Sequence, residues 1–526
     1  MNIKQTLILL SVFIFVSMSC QENSRSLEEV KINDGIVSGK LSDDQQVVAF
    51  KGIPFAAPPV GNLRWKAPQP TTPWEGVLAC DQFSASAMQS KPEPFFMWTS
   101  EFIAPAEPLS EDCLYLNVWT SAKNKGKKQP VMVFIHGGGF GSGSGSVPIY
   151  DGEEMAKKGV VFVTINYRLG IFGFLAHPEL SAEAPYGSSG NYGLLDQVAA
   201  LKWVKGNIAA FGGDPNNVTI AGQSAGAFSV NYLIVSPLAK GLFDRAIAES
   251  GGVILDTDRD DSYDNLTEAE KSGKNLEKVF DVQSIEELRQ IPAEELLKTR
   301  IKSSPIIDGY FLPTDVYSIF AEGKQNDVPL LLGWNANEGN FGGPIVDATI
   351  FKQYAEEKYG EEASRFLELF PASDDEEAKE TQTTLSGLQV FGLPVFKWMN
   401  CQNQTGKSDV FMYYFTRELP FGEGQQNFRA FHSGEVPYAY KNLRMSNVRP
   451  WKPIDYELQE KMSTYWVNFA KNGNPNGVGL AEWNSCKSEN YLTMYLGDEV
   501  SLRSIPHLAQ LQFLEHFYES QFNEKF

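Results

Sequence analysis

A series of short, almost wholly apolar runs constrains the fold of this chain more than any other feature. Pro130-Val131-Met132-Val133-Phe134-Ile135 stops at His136-Gly137-Gly138-Gly139, and Val160 to Ile165 repeats the pattern. Asn217-Val218-Thr219-Ile220-Ala221 is a third such run and leads directly into Gly222. Runs this short, without polar alternation, suit strands buried on both faces of a parallel sheet. Between the second and third, Leu194 to Phe211 carries Leu201, Val204 and Ile208 at helical spacing. Later strands are expected at Arg245 to Ala248, Val328 to Leu332 and Val410 to Phe415. Strands separated by helices imply an α/β fold, with a mostly parallel central sheet and helices on both faces. Ligands of such sheets bind beyond the carboxyl ends of the strands. Two charged, helix-prone stretches, Asp256 to Arg300 and Glu356 to Glu380, are expected as insertions that cap the pocket and turn their charges to solvent.

Composition narrows the functions open to the chain. Of its 526 residues 42% are hydrophobic and 12% aromatic, enough for a large core. A formal charge of −20 repels phosphate backbones, so nucleic acid is not an expected partner. The acidity serves solubility or, in the sharper reading, attraction of cationic substrates. The first residues resemble an export signal, with Lys4, an apolar stretch from Leu7 to Val16, and small residues before Cys20. That stretch is too short to span a bilayer. The expected division is a signal segment at 1–19, a linker at 20–30 and one domain at 31–526. Cleavage before Cys20 is either ordinary or accompanied by lipidation of Cys20, although Ser17 replaces the preferred Leu. The mature protein is then exported: periplasmic or outer-membrane-anchored through Cys20, otherwise secreted. Cys80, Cys113, Cys401 and Cys486 remain, an even number that permits disulfides in an exported chain. Cys80 to Cys113 closes a loop that a tether would help; a Cys401–Cys486 pair stays open. No spacing suggests a metal site, and no cofactor is expected.

The third apolar run ends in Gly222-Gln223-Ser224-Ala225-Gly226, a G-x-S-x-G turn between a strand and a helix. A serine hydroxyl becomes a useful nucleophile only when it is exposed, has a base for its proton and has donors for the oxyanion. Small residues on both sides allow the strained turn that exposes Ser224. The N–H of Ala225, at the start of the following helix, is one expected oxyanion donor. The glycine run after His136 offers others. In this order of elements the acid and then the base follow the nucleophile. Three histidines follow it: His432, His507 and His516. His432 lies after the strand at 410–415, whereas the other two sit on a helix-prone stretch with apolar neighbours. Glu338, just past the strand at 328–332, meets the conditions for the acid; Asp308 is the rival, in a segment that reads as a tight turn.

The chain resembles the type-B carboxylesterases, the α/β-hydrolase group that includes cholinesterases and the adhesion proteins called neuroligins. The likeness rests on the Ser224 turn, Glu111-Asp112-Cys113-Leu114-Tyr115-Leu116-Asn117-Val118, Asn166-Tyr167-Arg168 and Phe211-Gly212-Gly213-Asp214-Pro215, among other segments. It implies a Ser224–Glu338–His432 triad with an oxyanion hole from Gly138, Gly139 and Ala225. It also implies a Cys80–Cys113 disulfide and structural ion pairs of Arg64 with Glu111 and Arg168 with Asp196. Gln223 departs from the Glu typical of cholinesterases, and Trp98 is not at the offset of the choline-binding tryptophan. The expected function is hydrolysis of small or aryl esters through an acyl-enzyme, with acyl groups on plant polysaccharide as a specific candidate. A neuroligin-like binding module, which would lack the triad, and a lipase are the alternatives.

Overall fold

A computed structural model describes residues 27–254, 265–299, 304–339, 344–422 and 426–524. The expected signal segment and Cys20 lie outside the described residues, as does part of the first insertion. Eleven strands form the central sheet: β1 (Lys40–Leu41), β2 (Val48–Pro54), β3 (Tyr115–Thr120), β4 (Gln129–Ile135), β5 (Val161–Ile165), β6 (Gly213–Gln223), β7 (Arg245–Glu249), β8 (Leu330–Asn335), β9 (Val410–Phe415), β10 (Leu492–Leu496) and β11 (Val500–Ser504). Their spatial order is β11-β10-β9-β8-β7-β6-β4-β5-β3-β2-β1. Every pairing from β5 across to β10 is parallel. The two edges are antiparallel. The parallel centre is the part that the apolar runs predict.

Alternation along each strand sends neighbouring side chains to opposite faces, and each face has its own core. Val131, Val133 and Ile135 join Val218, Ile220, Leu330 and Leu332 on one side. That side is covered by α1 (Tyr192–Asn207) and α2 (Ala225–Val235). Met132, Phe134, Phe162, Ile247 and Phe411 face the other way. There they meet Leu458, Met462, Trp466 and Phe469 of α7 (Pro453–Asn472). The first insertion contains α3 (Leu266–Phe280), and the second contains α4 (Ala348–Tyr359) and α5 (Asp375–Gly387), leading into α6 (Leu393–Thr405). α8 (Leu508–Glu524) follows β11 and carries His516, with His507 just before it. Among the described residues no helix is long and apolar enough to cross a membrane.

Two buried ion pairs pin the segments around the sheet, as the resemblance implies. Arg64 donates to both carboxylate oxygens of Glu111 at 2.6 and 2.5 Å, and to the carbonyl of Ile291 at 2.7 Å. Arg168 grips Asp196 through Nε and Nη2 at 2.8 and 2.6 Å, with both side chains almost fully buried. Cys80 and Cys113, the implied disulfide partners, are both buried and carry no bond to each other in this structure; Cys401 and Cys486 are buried as well. Backbone pairing holds Cys80 against two neighbouring segments. The Cys80 N–H donates to Ser38 and its carbonyl accepts from Lys51, each at 2.7 Å. Burial pushes the Cys80 thiol up to about 12 and raises Cys113 as well, so neither is a ready thiolate.

Removing one partner of a buried pair strands the other charge. Arg168→Met is expected to cost about 3–5 kcal/mol in urea unfolding. The double change with Asp196→Leu should recover much of that loss, and a double variant no more stable than the single would contradict the assignment.

Candidate active site

β6 ends at Gln223 and α2 begins at Ala225, so Ser224 alone must reverse the chain. It does so at φ 56° and ψ −124°, a conformation that costs a non-glycine residue about 1–3 kcal/mol. Close packing of backbone on backbone holds it there. A Cβ on Gly226 would lie 2.0 Å from the carbonyl oxygen of Ile135, so only glycine lets α2 approach β4. The Ser224 N–H donates to the carbonyl of Glu249 at 2.9 Å, and its own carbonyl accepts from Phe228 at 2.9 Å.

The loops after β8 and β9 bring the next two groups together. His432 Nδ1 donates to Glu338 Oε1 at 2.7 Å, with both residues buried. Glu338 Oε2 accepts the backbone N–H of Asn335 at 2.9 Å, which fixes the carboxylate. The two loops are stitched to each other: Asn337 N–H donates to the Ala430 carbonyl at 3.0 Å, and Asn335 Nδ2 donates to the Phe431 carbonyl at 2.8 Å. The imidazole is stacked on Phe391, with ring centroids 4.4 Å apart. Asp308, the rival acid, instead accepts the backbone N–H groups of Leu312 at 2.8 Å and Tyr310 at 3.2 Å. Those bonds make it a turn residue.

The glycine run after β4 lies opposite. Gly138 has φ +109°, and a Cβ there would meet the Ser142 carbonyl oxygen at 2.2 Å. Among the described residues, the N–H groups of Gly138 and Gly139 donate to no protein acceptor. His136 anchors the loop from behind. Its Nδ1 lies 2.8 Å from the Gly137 carbonyl, and its own carbonyl accepts the Tyr167 hydroxyl at 2.9 Å. Burial lowers His136 to about 4, so the ring is neutral across the ordinary pH range.

Ser224, His432, Gly138 and Gly139 line one cavity of about 750 Å³. Its walls are mainly apolar: Phe95, Trp98, Phe140, Phe228, Val390 and Phe391. Trp98 is thus a pocket residue. Among the described residues neither expected insertion, 256–300 or 356–380, lines the cavity; Ser304 and Pro305 follow the first, and Val390, Phe391 and Pro394 follow the second. Ala225 is fully buried behind Ser224, at the first position of α2. Sequence reasoning missed Phe391 and two further acids, Glu249 and Glu435, because nothing local marks them. It also missed that His177, Glu179 and Glu277 converge. There His177 Nδ1 accepts the Glu179 N–H and Nε2 donates to Glu277, so both ring nitrogens are used in holding helices together.

The Carboxylesterase family model matches residues 26–514, and the chain belongs to that family of serine hydrolases. The fold is that of the α/β-hydrolases. The chain is 38% identical to fumonisin B1 esterase of Sphingopyxis macrogoltabida, over 85% of this chain and 83% of that one. It is 34% identical to para-nitrobenzyl esterase of Bacillus subtilis, over 90% and 96%. A thermophilic para-nitrobenzyl esterase structure superposes with a TM-score of 0.78 at 33% identity, covering 93% of this chain and 99% of that one. This protein is therefore a carboxylesterase.

Beneath the histidine loop lies a pair of fully buried acids. Glu249 accepts from the Tyr440 hydroxyl at 2.8 Å and Trp466 Nε1 at 3.1 Å. Glu435 accepts from Asn335 Nδ2 through one oxygen, while its other oxygen is buried without a partner. Loss of solvation pushes Glu249 up to about 8 from its ordinary 4.5, and burial with two nearby acids raises Glu435 well above the same value. The folded state therefore holds these protons more tightly than the unfolded chain. Their contribution to stability is complete below 4.5 and is lost as pH rises through about 8. Glu435→Gln is expected to raise the urea midpoint relative to the parent at pH 8 and to change it little at pH 4.5. An equal shift at both pH values would contradict the protonated pair.

Proposed function

We infer that this carboxylesterase works through a Ser224–His432–Glu338 triad and an acyl-enzyme, with aryl esters as its substrate class. The observation that carries the reading is the Glu338–His432 pair, 2.7 Å apart, at the floor of the cavity that Ser224 enters. His432 Nε2 takes the Ser224 proton as Oγ attacks the ester carbonyl, and the imidazolium passes it to the leaving alkoxide. Water then repeats the sequence and releases the acid. Glu338 orients the ring and stabilises its charged form without taking the proton. The N–H groups of Gly138, Gly139 and Ala225 are the proposed donors to the oxyanion; one such donor is worth about 3–4 kcal/mol.

The leaving group receives its proton from His432, so it must lie on the His432 side of the cavity. Trp98 stands edge-on to that imidazole at 6.4 Å, and its indole N–H donates to Ser433 Oγ at 3.3 Å. Phe95 lies 4.9 Å from Trp98 and is 60% exposed at the cavity mouth. Aromatic walls of this kind favour planar, apolar alcohols. The similarity to an esterase named for para-nitrobenzyl supports the same class. A feruloyl group carried on plant polysaccharide outside the cell would instead place its ring on the acyl side of the cavity, with a sugar as the leaving alcohol. The setting we propose is export directed by residues 1–19, with a lipid on Cys20 as the tether.

A nitrophenyl ester panel tests the reaction: the parent should turn over, and Ser224→Ala should lose nearly all activity. Equal turnover by both would contradict the triad, and no turnover by either would favour a binding role. Phe95→Ala should lower kcat/KM for aryl-alcohol esters about two- to tenfold relative to methyl esters of the same acid. An equal loss on both would remove Phe95 from the leaving-group wall.

A further inference from the structure

Gln223, one residue before the nucleophile, is buried and borders the cavity. Its side-chain nitrogen lies 3.2 Å from His432 Nε2 and 3.5 Å from His432 Nδ1. A donor placed on the in-plane lone pair of Nε2 would be much farther from Nδ1, which sits across the ring. Near-equal distances to both nitrogens put the amide over the face of the imidazole. The other face is taken by Phe391, stacked at 4.4 Å and 22°. The ring is thus held between an amide and an aromatic, while Glu338 holds its Nδ1 edge.

Among the described residues, the groups around the imidazole carry no positive charge to balance a second acid. From the β8 loop comes Glu338, and from β9 and its loop come Tyr413, Tyr414 and Glu435. From β7 comes Glu249, which is bonded to Tyr440. His136, behind the glycine loop, is neutral. Lys91 and Glu93 stand at the mouth, paired with each other and about two-thirds exposed. A carboxylate in place of the Gln223 amide would add a negative charge in contact with the ring. That charge would favour the imidazolium in the resting enzyme, and a protonated ring cannot accept the Ser224 proton.

We propose that Gln223 is a positioning residue: its amide and the Phe391 ring clamp the two faces of His432, and its neutrality extends activity toward lower pH. The proposal rests on the triad reading above. Both the ring orientation and the acid limb of the pH profile then depend on one side chain that takes no part in bond making.

The test is kcat and KM against pH on a nitrophenyl ester for the parent, Gln223→Glu, Gln223→Met and Gln223→Ala, with Ser224→Ala as the blank. Gln223→Glu should move the midpoint of the acid limb up by about one pH unit or more. Gln223→Met, neutral and long enough to cover the ring, should keep the parent's midpoint. Gln223→Ala should also keep the midpoint while losing kcat tenfold or more with KM little changed, because the ring face is uncovered. An acid limb in Gln223→Glu that coincides with the parent's overturns the proposal. So does a rise in KM at constant kcat in Gln223→Ala, which would make the side chain a substrate contact. Should Gln223→Glu not fold, the Met and Ala variants still decide the clamp. Failure of the triad reading is visible separately, as turnover by Ser224→Ala.

Discussion

The backbone contact between the start of α2 and the end of β4 sets the geometry of everything around it. Ser224 occupies φ 56° because Gly226 can lie against the Ile135 carbonyl where no side chain fits. That contact joins the Ser224 turn to the strand whose end carries the glycine run. The Ser224 N–H, bonded to Glu249, joins the same turn to β7. Three adjacent strands thus share one fixed point, and the cost of the serine's conformation is offset by the parallel sheet beneath it.

The second half of the site is built from loops, and these are held by polar groups instead of close backbone packing. Asn335 binds Glu338 through its N–H and the β9 loop through its side chain, so the acid and the base move as one unit. Packing this many acids under a single imidazole has a consequence for charge. Glu338 is the carboxylate that touches the ring, and Glu249 and Glu435 are driven toward their neutral forms by burial. A neutral Gln223 against the ring belongs to the same arrangement: one counter-charge at His432, with the remaining acids silent near neutral pH.

The centre of the fold was legible in the sequence because strands buried on both faces leave unbroken apolar runs, as in Val131 to Ile135 and Val410 to Phe415. The edges were not, since β2 and β10 mix buried with half-exposed positions, β11 has no buried position, and all three lose that signal. That Glu338 meets His432 beside the cavity that Ser224 lines was legible because each of the three follows a strand in the required order, and the resemblance fixed the choice. The clamp on His432 was not, because nothing local marks Phe391 and Gln223 meets the ring across 209 residues of sequence. The pairing of the cysteines was not legible, because an even count and a suitable loop do not distinguish a bonded pair from two thiols buried separately.

The most direct test of the central claim is to trap the intermediate. A rapid acid quench of the protein with an aryl ester, followed by peptide mass mapping, should place the acyl group on the Ser224 hydroxyl within the first turnover. Turnover with no acylated peptide, or with the acyl group on another residue, would contradict a nucleophile at Ser224.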